Sequence, residues 1–126
     1  MIVYLDTADL LLLATAVTDG DLVVRDSGLL DAAAYRPHAE VFGVPSYGTL
    51  WLKAASLLDS IVRTRPLRQG NWRLGWVAAV TMCDMNGWSV EAEEDAALAL
   101  VRGVGRERCP LPDVAESLAD WSKPKP

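Results

Sequence analysis

The sequence predicts an all-α fold, a single-domain bundle of about six helices around a buried central helix at about residues 73–86. Apolar residues recur at helical spacing through most of the chain, and strand-like alternation is almost absent. Between the periodic segments fall Gly, Pro, Asp and Ser, which stop one helix or cap the next.

Asp6 or Thr7 is placed to cap a helix over about 8–18, and Asp19-Gly20 supplies the turn that stops it. Leu22 to Gly28 connects to a short helix at about 29–35. Arg36-Pro37 bounds that helix, because a proline pushes the preceding residue out of the helical region. Val41 to Tyr47, with Gly43 and Pro45, reads as a loop or short hairpin. From Ser46 or Thr49 to Arg63, Leu50, Ala54, Leu57, Leu58, Ile61 and Val62 share one stripe, leaving Lys53, Asp59 and Arg63 to solvent. The segment from Arg73 to Asn86 is apolar nearly all round and is therefore expected to be the buried helix. Ser89 is placed to cap a helix whose first turns carry Glu91, Glu93, Glu94 and Asp95 and whose end carries Arg102, an order that complements the helix dipole; Gly103 and Gly105 then end it. Pro110 and Pro112 introduce the last helix, through Val114, Leu118 and Trp121. The domain is expected to span 1–122, with 123–126 a disordered tail.

At 126 residues, 51% of them hydrophobic, the chain is long enough for one ordinary core. A net charge of −5 and a pI of about 4.7 exclude a broad footprint for DNA or RNA, although twelve basic residues allow a local patch. The first residues lack a basic leader, and the run Leu10 to Ala14 is far too short to span a bilayer, so a cytoplasmic protein with no nucleic-acid or membrane partner is expected. Cys83 and Cys109 are too few for a disulfide framework and lack partners at metal-ligand spacing; both read as reduced thiols, and no metal site is expected. The acidic run Glu91 to Asp95 is explained by its place at a helix start. His38, the single histidine, reads as a solvated loop residue, with a substitute catalytic base as the alternative. Of the five tryptophans, Trp72 is the one expected outside the core.

The segment Arg65-Pro66-Leu67-Arg68-Gln69-Gly70-Asn71-Trp72-Arg73 carries the functional information. It lies where the amphipathic helix ends and the buried helix begins, so backbone N–H groups around Gly70 to Arg73 sit at a helix N-terminus, a ready anion site. Gly70 allows close approach of a phosphate, Asn71 is suited to holding the loop through its amide, and Arg73 to forking two hydrogen bonds onto phosphate oxygens. Arg63, Arg65, Arg68 and Arg73 form a positive cluster that suits phosphate or an acidic partner segment, and equally a surface salt-bridge cluster. An ordinary helix–turn–helix junction that needs Gly70 for geometry is the plainer alternative.

This segment resembles the signature of the Fic/Doc family, His-Pro-Phe/Leu-x-acid-Gly/Ala-Asn-Lys/Gly-Arg. Pro66, Leu67, Gly70, Asn71 and Arg73 match, while Arg65, Gln69 and Trp72 depart. Arg25-Asp26-x-Gly28-Leu29-Leu30-Asp31-x-Ala33, then Arg36-Pro37 and Phe42-Gly43, are similar to the Doc-type N-terminal region, and Leu74 to Gly87 resembles the family's central helix, so the resemblance covers roughly residues 22–121. It implies a Fic/Doc-type helical fold and the toxin of a toxin–antitoxin system, which transfers phosphate or AMP from ATP, with Mg²⁺, to a protein hydroxyl such as one on elongation factor Tu and so inhibits translation. It also implies a Phd-like antitoxin as partner, and a target-binding flap at Phe42, Gly43 and Val44 within Phe42 to Tyr47. Gly70, Asn71, Trp72 and Arg73 stand at the nucleotide- and phosphate-binding positions, Gln69 at that of the metal-binding acid, and Arg65 at that of the catalytic histidine.

Those departures set an expectation. An arginine keeps its proton in proteins, so Arg65 is unfit as the general base, a role worth roughly 100- to 10,000-fold in rate. A neutral amide at Gln69 is a poor ligand for a hard cation. Trp72 either blocks the phosphate hole or offers an adenine a stacking surface. The expected state is a catalytically impaired or inactive family member, the alternative a repurposed nucleotide-, phosphate- or partner-binding module. A detoxifying change at Arg65, and a different transfer chemistry using Arg65 as an electrostatic clamp, remain open.

Overall fold

The computed structural model of the chain describes residues 1–107 and 109–126. Six helices dominate it, in order α1 (Thr7–Val17), α2 (Ser27–Tyr35), α3 (Leu50–Thr64), α4 (Asn71–Met85), α5 (Glu94–Glu107) and α6 (Leu111–Asp120). A 3₁₀ turn (Arg36–His38) follows α2. Four short strands, β1 (Glu40–Val41), β2 (Val44–Pro45), β3 (Trp88–Val90) and β4 (Ser122–Pro124), form two antiparallel pairs, β1 with β2 and β3 with β4. The helical expectation holds, with these two small sheets added at the periphery.

Local chemistry sets the helix starts. Asp6 closes a capping box on α1: its Oδ1 accepts from the Asp9 N–H at 2.8 Å, and the Asp9 carboxylate accepts from the Asp6 N–H at 3.0 Å. Asp26 caps α2, and Thr49 caps α3 through the Leu52 N–H. Gly70, at φ 89°, opens α4 without a side-chain cap.

α3 is more enclosed than its sequence indicates. It packs against α2, the 3₁₀ turn, α4, α5 and α6, and nine of its residues are buried, against six in α4. Lys53 and Asp59, expected in solvent, are among the nine, because the 3₁₀ turn lies over that face. The Lys53 ammonium donates to the Pro37 carbonyl at 3.1 Å and sits 5.5 Å from the Tyr4 ring centroid. Asp59 accepts from Arg36 Nη1 at 2.6 Å. Where α3 meets α4 and α5, glycines replace side chains: a Cβ on Gly75 would stand 2.7 Å from Val62 Cγ2, and one on Gly105 3.3 Å from Val62 Cγ1. Gly105 and Gly103 therefore lie within α5 and do not end it. Close packing on Val62 is the use made of Gly105.

Two further expectations give way. Ser89 does not cap a helix; it lies in β3, paired with Lys123, and α5 begins only at Glu94, with Glu94 and Asp95 in its first turn. Correspondingly, the tail expected to be disordered contributes β4, and beyond it the Lys125 N–H donates to the Gly87 carbonyl at 2.9 Å. Each segment supplies the hydrogen-bond partners the other lacks. No described helix is long and apolar enough to cross a membrane.

Candidate functional site

The backbone of the loop between α3 and α4 is held by the side chains of Arg25 and Asn71 and by main-chain groups of the connector before α2. α3 ends with Arg65 in the left-handed region, φ 53°, an unusual conformation for a side chain of that size. The guanidinium of Arg25 caps the exposed carbonyls there, its Nε donating to the Arg65 oxygen at 2.7 Å and its Nη2 to the Thr64 oxygen at 2.6 Å. The connector before α2 runs antiparallel to the loop, with Val24 opposite Leu67. Its bonds flank that pair: the Arg25 N–H donates to the Pro66 carbonyl at 2.8 Å, and the Arg68 N–H to the Val23 carbonyl at 2.9 Å.

Leu67 is thus in the non-hydrogen-bonded position of the pair, and its own N–H and C=O face away from the connector. Asn71 takes both. Its Oδ1 accepts from the Leu67 N–H and its Nδ2 donates to the Leu67 carbonyl, each at 2.8 Å. Gly70 is required next to it for two reasons: its φ is 89°, and a Cβ would stand 3.0 Å from Thr18 Cγ2.

Two concavities flank the loop, divided by Gly70 and Trp72, which border both. The larger, about 750 Å³, lies between α3, α4 and α5 and is bordered by Arg63, Arg65, Asn71, Arg102 and Arg106 over a floor that includes Val62 and Gly105. The smaller, about 370 Å³, is bordered by Gln69 and Arg73 together with Val17, Thr18 and Asp19 of the α1 end. The signature is therefore divided, Arg65 and Asn71 on one side, Gln69 and Arg73 on the other. Trp72 is 46% exposed, and the Arg73 guanidinium lies 5.5 Å from its ring centroid. Of the arginines expected to cluster at 63, 65, 68 and 73, the first two border the larger space, Arg73 the smaller and Arg68 neither.

Other candidates sit elsewhere. His38 stacks on Tyr4, ring centroids 3.6 Å apart, and borders neither concavity. Phe42, Gly43 and Val44 form the tip of the β1–β2 hairpin, where Phe42 and Gly43 both have positive φ and Phe42 is fully exposed. The hairpin base is tied to α3 by Arg36, whose Nε donates to Tyr47 Oη at 2.8 Å while its Nη1 serves Asp59 and Ser60. Burial opposes the charge on Arg36, but the hydrogen bonds to Asp59 and Tyr47 outweigh it and hold the guanidinium pKa above its ordinary value. Asp59 in turn lies 3.8 Å from Arg63 at the rim of the larger cleft.

Arg106 escapes the sequence reading, and Arg102 enters it only as a charge that complements the helix dipole, although the two stand four apart on one helix face, because Gly103 and Gly105 read as a stop. The donor set does not fit a resident Mg²⁺ in the larger cleft: among the described residues no carboxylate borders it, and Asn71 is committed to Leu67. Gln69 faces the other space, where Asp19 is the carboxylate present. Among the described residues no group of three or more His, Cys, Asp or Glu side chains is placed to hold a metal.

A helical domain whose framed loop links two packed helices, with an uncapped helix start beside grouped guanidiniums, is the class that this geometry defines. The chain belongs to the Fic/DOC family, whose profile residues 4–83 match. It is similar to Toxin Doc of Mycolicibacterium smegmatis, 43% identical over 121 residues that cover 94% of this chain and 93% of that protein. The matched profile includes the loop and most of α4 but stops before α5, so Arg102 and Arg106 lie outside it.

Proposed function

We propose that the chain is a Doc-like toxin-family protein of a toxin–antitoxin system in which catalysis is lost or strongly reduced. The observation that carries this reading is the near full-length similarity to Toxin Doc combined with arginine at position 65. In the family reaction a base takes the proton of a target hydroxyl as it attacks a phosphorus of ATP. Arg65 has only donors to offer at that position, so the proton has no acceptor there. The cognate partner is a Phd-like antitoxin, the family target a hydroxyl such as that on elongation factor Tu, the family nucleotide ATP with Mg²⁺, and the setting the cytoplasm. Phe42 to Val44, at the exposed hairpin tip, are the flap that would present a target strand.

The second reading is a repurposed binding module that keeps the Gly70-Asn71-x-Arg73 frame for a nucleotide, a phosphate or a partner. It is favoured by Asn71, which holds the loop in shape with no help from the three departing side chains.

The test is expression in a bacterial host, and transfer of label from ATP to elongation factor Tu in vitro, for the parent chain, Arg65→His and Arg65→His/Gln69→Asp/Trp72→Lys. The parent is expected to leave growth and the factor unchanged, and the triple variant to restore both labelling and growth arrest. Rescue by Arg65→His alone would identify a detoxified toxin. No transfer from a folded triple variant would overturn the impaired-toxin reading in favour of the binding module.

A further inference from the structure

We propose that the cleft between α3, α4 and α5 is a metal-independent site for a polyphosphate chain, held by Arg63, Arg65, Arg102 and Arg106. The inference deepens the binding-module reading and rests on it for the kind of ligand only; the residues come from the cleft itself. Four of the chain's twelve Lys and Arg residues border one concavity in a protein of net charge −5. Among the described residues, three of the four have no ion-pair partner. The exception, Arg63, stands 3.8 Å from an Asp59 already engaged at 2.6 Å by Arg36.

Like charges gathered in a concavity repel one another, and low-dielectric walls strengthen the field that they project. An anion seated among them relieves that repulsion. A cation would add to it, and no described carboxylate borders the cleft to bind one. In a phosphoryl site a divalent metal neutralises phosphate charge; here four guanidiniums are placed to do so, with fork geometry suited to phosphate oxygens. The supports are helical: Arg63 is in the last turn of α3, and Arg102 and Arg106 are one turn apart on α5. About 750 Å³ lies within the range of roughly 300–1,000 Å³ usual for small-molecule sites. Half-exposed Trp72 at the rim offers a base a stacking face.

Calorimetric titration of the full chain with ATP, ADP and inorganic tripolyphosphate, each in EDTA and in excess Mg²⁺, tests the proposal. Binding is expected in EDTA and should weaken severalfold when Mg²⁺ masks the phosphates. Arg102→Ala/Arg106→Ala should lower affinity at least tenfold with an unchanged thermal melt, since both side chains are exposed and alanine favours helix. Arg102→Lys/Arg106→Lys should fall between. Arg68→Ala/Lys123→Ala removes the same charge from positions bordering neither concavity and should bind like the parent. Tighter binding of ATP than of tripolyphosphate, with the difference abolished in Trp72→Ala, identifies a nucleotide; equal binding identifies an inorganic polyphosphate. Binding that requires Mg²⁺, indifference to the α5 double variant, or displacement by hexaglutamate but not tripolyphosphate would each overturn the site. Restored transfer in the triple variant without metal-free binding would remove this proposal and leave the impaired-toxin reading intact; metal-free binding without restored transfer would remove that reading and leave this site.

Discussion

Replacing Asn71 by alanine should unfasten the loop while leaving its sequence signature otherwise in place. Leu67 is 1% exposed, so water has little access to its peptide groups, and the connector bonds pass to either side of it through Arg25 and Arg68. Both Leu67 backbone groups therefore depend on one amide. A buried donor or acceptor left without a partner costs about 1–3 kcal/mol, so losing both costs about 2–6 kcal/mol. In a domain whose total stability is of order 5–15 kcal/mol, that is a large fraction. Urea unfolding followed by tryptophan emission reads it directly: with a slope of about 1.5 kcal/mol per molar, the midpoint should fall by roughly 1–4 M. Asn71→Asp keeps the acceptor but loses the donor and should fall between alanine and the parent. Hydrogen exchange at the Leu67 amide should accelerate in both variants. An Asn71→Ala protein within about 0.5 kcal/mol of the parent would refute the argument, because the loop would then have another source of rigidity.

Gly75→Ala sets a gain of about 1 kcal/mol in helix propensity against a Cβ 2.7 Å from Val62 Cγ2, a side chain stiff at χ1 and hemmed on its other branch by Gly105. Overpacking of this kind costs about 1–3 kcal/mol, so a thermal melt should show a net loss of up to about 2 kcal/mol, and a clear gain would contradict the packing at the cleft floor. Burial pushes the Cys83 thiol from its ordinary 9.0 to about 12. The folded chain therefore keeps this proton while the unfolded chain loses it, and stability should be complete below the unfolded value and decline as pH rises toward about 12. Unfolding measured across that window should show a slope shallower in Cys83→Ala than in the parent by up to about 1.4 kcal/mol per pH unit. Iodoacetamide at about pH 9 should leave Cys83 unmodified until the chain is denatured.

Helix positions were legible because the apolar stripe of α3 and the caps at Asp6 and Thr49 are local signals, written within a few residues of the structure they produce. The failures share a different cause. β3 and β4 are too short to show alternation, and each is a strand only because a segment more than thirty residues away meets it. Lys53 and Asp59 read as solvent-facing until a turn from another part of the chain covers them. Gly105 reads as a terminator because nothing nearby in sequence reveals Val62. The site shows the same division. Gly70 and Asn71 could be recognised from their neighbours, whereas the meeting of Arg65 with Arg102 and Arg106 is a fact of helix packing, as is the separation of Gln69 and Arg73 from them.

The Asn71 brace has a consequence for how such a site can change over time. The hydrogen bonds that shape the loop come from Asn71, Arg25 and main-chain groups, and among the described residues none comes from the side chains of Arg65, Gln69 or Trp72. The contour of the loop is thus written in residues other than the three that depart from the signature. Substitutions at those three positions leave every one of these bonds in place, so the sequence can vary there on a scaffold that stays folded throughout.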